Sequence, residues 1–145
     1  MIVITHCYPP NYYGIKDIDG VKTYYLPFFI ISTSNISFPN FVTDYPRAKE
    51  ILLSEGIDIV HTHQSTSPLG LAFGIQGYHL GLRVVLTEHS LFEFKKIDGI
   101  IFPWVLTPFH TLYDKFICVS RATRNNLIIR NKQHSSKSIV IPNSV

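Results

Sequence analysis

The sequence has few charged residues, few cysteines and no long apolar run. Charged residues make up 16% of the 145 residues and hydrophobic ones 46%, whereas an average domain is about 25% charged. This balance excludes intrinsic disorder, which requires low hydrophobicity and high charge. Asp98, Pro103 and Pro108 interrupt the nearest candidate for a membrane-spanning segment, so none reaches the roughly 18 residues needed. The length and composition therefore predict one folded domain with a core of its own.

The sequence also lacks clustered positive charge and a disulfide framework. The net charge is +3, and no run of four basic residues occurs, so we expect no nucleic-acid partner. The two cysteines, Cys7 and Cys118, lie in or beside apolar runs. Two cysteines are too few for a secreted disulfide scaffold, so we expect buried free thiols and a reducing compartment.

Short β-branched runs recur along the chain and predict strands buried on both faces. Stretches long enough for helices separate the last four runs, a pattern typical of βαβ units and a parallel sheet. The segment between the first two runs is predicted to be a loop with a polar turn at 17–20. The predicted strands are Ile2–Thr5, Val21–Leu26, Ile57–Thr62, Arg83–Thr87, Lys115–Val119 and Ser138–Ile141.

Capping residues predict three helices. The first spans Phe41–Glu55, with Pro46 near its first turn and Gly56 ending it. The second begins at the N-cap Ser67 and ends at Leu80, and the third spans Ser120–Lys132. Glycines 70, 74, 77 and 81 share one face of the second helix because they lie 4, 3 and 4 residues apart. This spacing predicts close packing of that helix on the sheet.

Polar residues follow the predicted strands, where ligands bind in open parallel sheets. His61 and His63 lie on one side of their strand, and Ser65 follows them. The same spacing is compatible with a ligand-facing polar rim, with hydrogen-bonded core histidines or, least favourably, with a metal site. His89 ends the next strand and is suited to donating a hydrogen bond to a hydroxyl or phosphate, or to acting as a base near pH 7.

Two arginines begin the last predicted helix directly after Ser120. Arg121 and Arg124 oppose the helix dipole there, so they require a negative partner. An acidic side chain and a bound phosphate fit equally well. Neither a G-x-G-x-x-G nor a G-x-x-x-x-G-K-[ST] phosphate loop occurs in the chain.

These motifs, in this order, resemble the family of catalytic subunits of phosphatidylinositol N-acetylglucosaminyltransferase, the PIG-A family of GT-B glycosyltransferases. His-x-His and Pro-Asn-x-Val are shared by many glycosyltransferases and are weakly specific. The Glu-His-Ser-Leu-Phe-x-Phe block is much narrower and decides the subfamily. The resemblance spans nearly the whole chain and is carried by residues 3–6, 21–27, 61–63, 87–94, 117–120 and 140–145.

The resemblance implies transfer of N-acetylglucosamine from UDP-GlcNAc to phosphatidylinositol, the first step of GPI-anchor synthesis. Retention of configuration, no cofactor and no metal, other subunits of a membrane complex, and the cytoplasmic face of the endoplasmic reticulum membrane are implied with it. His89 would touch the donor sugar or acceptor hydroxyl and is the catalytic candidate, while His61, His63 and Ser65 would bind the acceptor. Ser120, Arg121 and Arg124 would lie near the donor phosphates, and Asn143 would begin the crossing to a second domain.

The resemblance also implies that residues 1–145 form an acceptor-side Rossmann-like α/β domain, the N-terminal half of a GT-B fold. The family's first strand, Gly-Gly loop, second domain and membrane anchor are not matched, so both ends look truncated and we expect no activity from this chain alone. The unmatched strand is central, which predicts a gap beside the strand at Ile57–Thr62. Two alternatives remain: a non-catalytic binding or scaffold protein, and a related glycosyltransferase with a different lipid or sugar acceptor. Lysines and aromatics at residues 91–104 are compatible with a bilayer interface or with a buried segment.

Overall fold

A computed structural model describes residues 1–8, 13–28, 39–91, 108–131 and 135–143 of the chain. The segment 92–107, which carries most of the predicted membrane-interface motif, lies outside them. The described elements alternate between strands and helices, as predicted. They are β1 (Ile2–Cys7), β2 (Gly14–Ile18), β3 (Val21–Pro27), α1 (Pro39–Ser54), β4 (Ile59–His63), α2 (Pro68–His79), β5 (Arg83–Glu88), β6 (Lys115–Cys118), α3 (Arg121–Asn131) and β7 (Ser138–Val140).

The strands form two sheets. Strands β4, β5, β6 and β7 lie side by side in that order and are all parallel, which confirms the predicted parallel α/β sheet with flanking helices. The other sheet has the order β1-β3-β2. In the described part of the chain, β1 pairs only with β3 and β4 only with β5. The predicted gap therefore lies beside β4.

The strand β2 corrects the prediction of a loop between the first two runs. It pairs antiparallel with β3, and Ile18 faces Val21 across a two-residue turn. Asp19 and Gly20 in that turn both have positive φ angles, 50° and 80°, which is the geometry of a tight hairpin. All five residues of β2 are exposed. This edge strand buries neither face, so its sequence carries no alternating apolar pattern.

Helix boundaries follow the predicted caps closely. The side chain of Ser67 accepts a hydrogen bond from the backbone N–H of Gly70, and Pro68 begins α2. Gly56, with φ 58°, follows α1, and Ile57 N–H bonds to Leu52 O across it, as in a Schellman C-cap. Helix α1 begins at Pro39, earlier than predicted, so Pro46 lies inside the helix and not near its first turn.

One hydrophobic core joins both sheets to the helices. Its buried members include Leu26 of β3, Leu52 of α1 and Phe116 of β6. The glycine face of α2 packs on this core as predicted: a Cβ on Gly77 would lie 2.8 Å from Val60 Cγ2, and one on Gly74 would collide with the hydroxyl of Tyr113. Cys7 and Cys118 are free and buried, which confirms the expectation of buried thiols.

No helix in the described ranges is long and apolar enough to cross a membrane.

Candidate functional site

Three histidines meet at the carboxyl edge of the four-stranded sheet. Along β4 the even residues are buried, whereas His61 and His63 are exposed. In the parallel register of β4 and β5, His63 lies opposite Thr87, two residues before His89. The ring centroids of His61 and His63 are 4.6 Å apart, and those of His63 and His89 are 5.3 Å apart, both in stacked arrangements. The structure therefore brings together three histidines that the sequence places at two separate strand ends.

Hydrogen bonds connect the histidine cluster (His61, His63 and His89) to the sheet and within itself. Nε2 of His61 lies 2.7 Å from Oγ1 of the buried Thr87. Nδ1 of His63 lies 3.0 Å from Nε2 of His89. Partial burial lowers the pKa of His61 below its usual value, and the neighbouring His89 lowers it further. The pKa of His63 is lowered in the same way, by burial first and then by the other two histidines. Both rings are therefore neutral at pH 7 and able to donate one hydrogen bond and accept another.

The loop after β4 supports the cluster from behind. Gln64 has a φ of 69°, which is unusual for a residue with a side chain, and its N–H bonds to Thr87 O at 2.8 Å. Its Oε1 accepts from the hydroxyl of Ser90 at 3.3 Å. The carboxylate of Glu88 is fully buried and lies 3.4 Å from the Ser90 N–H. None of these three residues was predicted to belong to the site; a charged residue at a strand end was the only available signal.

Ser65 is not presented with the histidines. It is buried, with 3% of its surface exposed, and its carbonyl oxygen lies 3.3 Å from Nε2 of the buried His110. The structure thus places Ser65 in the interior, below the exposed rim, where it helps to dock the segment before β6.

The helix start after β6 lies further along the same edge. The hydroxyl of Ser120 accepts from the N–H of Thr123 at 3.0 Å and so caps α3, and Val119 N–H bonds to Glu88 O at the end of β5. Arg121 is exposed. Arg124 is instead tied to β7, because its Nε donates to Oγ of Ser138 at 3.0 Å and to the Ser138 carbonyl at 3.3 Å.

Asn143 follows β7 and is exposed at this edge. Histidine, serine, arginine and asparagine side chains thus follow four adjacent strands. Within the ranges that the structure describes, no group of three or more His, Cys, Asp or Glu side chains is arranged to hold a metal ion. The edge offers neutral hydrogen-bonding groups at β4 and β5 and a cationic helix start at β6, a combination suited to a polar ligand that carries phosphate.

A second polar pair, which no sequence pattern predicted, ends β1. Nε2 of His6 lies 2.7 Å from Oδ2 of Asp44 on α1. Asp44 is fully buried, and its Oδ1 has no hydrogen-bond partner. The two residues are 38 positions apart in the sequence, so no local pattern linked them.

Comparisons with known proteins agree with this architecture. The chain is 36% identical to the phosphatidylinositol N-acetylglucosaminyltransferase GPI3 subunit of Saccharomyces cerevisiae and 30% identical to the corresponding human protein, each over 146 residues and its whole length. It covers 32% and 30% of those two proteins. The chain thus spans about a third of the length of the curated relatives that it matches.

Solved structures match through the fold. The Staphylococcus aureus MnaA–UDP structure aligns with a TM-score of 0.59 at 15% identity, covering 83% of this chain and 31% of MnaA. The UDP-GlcNAc 2-epimerase of Methanocaldococcus jannaschii aligns with a TM-score of 0.56 at 18% identity, covering 81% and 30%. The likeness supports the Rossmann-like half of a GT-B fold.

A family model matches more than half of the chain, over residues 6–96, and includes the whole histidine cluster. Its description is PIGA (GPI anchor biosynthesis). The chain therefore belongs to the PIGA family of GPI-anchor biosynthesis.

Proposed function

We propose that this chain is the acceptor-side part of an enzyme that transfers N-acetylglucosamine from UDP-GlcNAc to phosphatidylinositol. The observation that carries the proposal is the convergence of His61, His63 and His89 at the carboxyl edge of the sheet, in a chain of the PIGA family. The named relatives are subunits of phosphatidylinositol N-acetylglucosaminyltransferase. By this proposal the chain works with other subunits at the cytoplasmic face of the endoplasmic reticulum membrane.

The reaction needs an alcohol oxygen to replace the UDP oxygen at the anomeric carbon. The acceptor hydroxyl loses its proton, its oxygen bonds to the anomeric carbon, and UDP leaves with the electrons of the broken bond. We assign retention of configuration and no resident metal to this transfer. His89 contacts the donor sugar or the acceptor hydroxyl, because it is exposed at the rim and its neighbours are neutral imidazoles. A neutral imidazole is able to orient a hydroxyl or to receive its proton.

The other edge residues divide the remaining contacts. The cationic start of α3, with Ser120 and Arg121, supplies N–H groups and a positive charge for donor phosphates. Asn143 continues this rim beyond β7. Arg124 acts from behind this rim, because its hydrogen bonds to Ser138 hold the first turn of α3 against β7. His61 and His63 occupy the acceptor side, with Ser65 buried beneath them.

The test uses a chimera, because the chain spans about a third of its relatives. The chain replaces the matching segment of the S. cerevisiae GPI3 subunit, to which it is 36% identical. Membranes that contain the chimera and lack the native subunit receive radiolabelled UDP-GlcNAc, and label in phosphatidylinositol is measured. We expect labelled lipid from the chimera and none from the isolated chain. A chimera that assembles with the other subunits but transfers no label would contradict the proposal and favour a non-catalytic role, and label in another lipid would identify a different acceptor.

A further inference from the structure

The bond between His63 and His89 assigns different tasks to the two rings. We propose that His63 is a positioning residue that fixes the ring of His89 through this bond, so that His89 meets the sugar or acceptor hydroxyl through Nδ1. The inference rests on the proposed function, because it assigns the nitrogen that faces the reacting groups. It departs from the expectation that His63 itself binds the acceptor.

The ring nitrogens of the cluster support this division. Nε2 of His89 lies 3.0 Å from Nδ1 of His63, so that nitrogen is occupied whichever ring donates. His89 makes no other side-chain hydrogen bond to the part of the chain that the structure describes. It is exposed. Nδ1 is therefore the nitrogen of His89 that remains for a ligand.

Support in the cluster runs from the interior outward. The buried hydroxyl of Thr87 holds His61 at 2.7 Å, and the ring of His61 stacks on His63 with an interplanar angle of 29°. The rings of His63 and His89 are inclined by only 19°. Each ring is thus restrained by the one nearer to the sheet, and His89 is the outermost. A catalytic group whose supporting residues are themselves held loses less geometry to thermal motion.

The protonation of the pair admits two arrangements, and both leave Nδ1 of His89 facing the ligand. The lowered pKa of His63 keeps its ring neutral at pH 7, so the bond joins one N–H to one lone pair. If His63 donates, His89 carries its proton on Nδ1 and offers a donor to the ligand. If His89 donates, its Nδ1 presents a lone pair and is able to accept the proton of a hydroxyl.

Two substitutions at His63 separate positioning from bulk. His63→Phe keeps a flat ring for stacking but removes the hydrogen-bonding nitrogen. His63→Asn loses the ring but retains a polar atom near the position of Nδ1. His79→Phe is the matched control, because His79 is an exposed histidine on α2 whose Nδ1 lies 3.2 Å from the hydroxyl of Tyr45, outside the cluster. Both positions are exposed, so the variants should fold, and backbone NMR spectra check this.

The first measurement uses the 145-residue chain itself. Nitrogen-15 NMR of labelled histidines reports which ring nitrogen carries the proton. We expect His63 Nδ1 and His89 Nε2 to be complementary, one protonated and the other not. His63→Phe should change the nitrogen shifts of His89, while His63→Asn and His79→Phe should leave them close to those of the unsubstituted chain. Equal shifts of His89 in the unsubstituted chain and in His63→Phe would overturn the inference.

The second measurement places the same variants in the yeast chimera. His63→Phe should lower kcat about 10- to 100-fold with little change in KM for phosphatidylinositol, because misplacing a reacting group costs rate more than binding. His63→Asn should recover most of the lost kcat. A raised KM with unchanged kcat would overturn positioning and make His63 a direct acceptor contact. An inactive unsubstituted chimera with an intact His63–His89 bond would instead overturn the proposed function and leave that bond a structural one.

Discussion

The packing of α2 on β4 makes a quantitative prediction at Gly77. A Cβ at this position would lie 2.8 Å from Val60 Cγ2 and 3.2 Å from Val84 Cγ2. Both valines are in the core and at most 6% exposed, so neither is free to move into solvent. Gly77→Ala should therefore force α2 away from the strand that carries His61 and His63.

The expected magnitude combines two opposing effects. Overpacking a core with one extra methyl group costs about 1–3 kcal/mol, while alanine in place of glycine inside a helix recovers about 1 kcal/mol. We expect Gly77→Ala to lower the free energy of unfolding by a net of about 1 kcal/mol. Val60→Ala removes the nearest methyl groups, so the double variant Gly77→Ala/Val60→Ala should be more stable than the sum of the single changes by about 1 kcal/mol.

Urea unfolding followed by circular dichroism measures these differences. The control is Gly81→Ala, because a Cβ at Gly81 meets nothing within 4 Å but its φ is +75°. Its cost comes from the backbone alone, about 1 kcal/mol, and should be unaffected by Val60→Ala. A Gly77→Ala variant more stable than the unsubstituted chain, or strict additivity with Val60→Ala, would contradict the close packing of α2 on β4.

Buried polar and titratable groups give three more predictions. Asp44→Ala should lower the free energy of unfolding by about 3 kcal/mol in urea, because it strands His6 at a buried site, and Asp44→Asn should lose less; equal losses would contradict this. Burial raises the pKa of Tyr113 to about 12, so phenolate absorbance should show one tyrosine that ionises only near pH 12 and disappears in Tyr113→Phe, and its contribution to stability should fade as the pH rises above 10. The lowered pKa values of His61 and His63 mean that the unfolded chain binds more protons, so stability should fall as the pH falls below about 6.5; replacing both with phenylalanine should flatten that slope, and an unchanged slope would contradict the assignment.

Much of the fold was readable because local chemistry and tertiary structure agree. The apolar runs that became β4, β5 and β6 are buried on at least one face, and Ser67 with Pro68 begins a helix in any surroundings that permit one. Strand β2 was missed because it is wholly exposed and carries no hydrophobic pattern. The Asp19-Gly20 pair was the available signal, since Asp-Gly is a strong hairpin turn.

The candidate site was only partly readable, because its geometry depends on pairing between strands. Period two placed His61 and His63 on one face, and the parallel sheet placed His89 at the same edge. The bond from His63 to His89 depends on the register of β4 and β5, which composition does not fix. The same holds for the partner of Arg124: the sequence left an acid or a phosphate open, whereas the structure joins it to Ser138 across the α3–β7 packing.

The role of the histidine cluster is tested most directly by the transfer rate of the yeast chimera with His89→Asn, compared with His79→Asn as the matched histidine change outside the cluster. We expect His89→Asn to lower the transfer of labelled N-acetylglucosamine to phosphatidylinositol about 100-fold or more, while His79→Asn leaves it within about twofold of the unsubstituted chimera. Equal transfer by the two variants would contradict the claim that the reaction takes place at the histidine cluster on the carboxyl edge of the sheet.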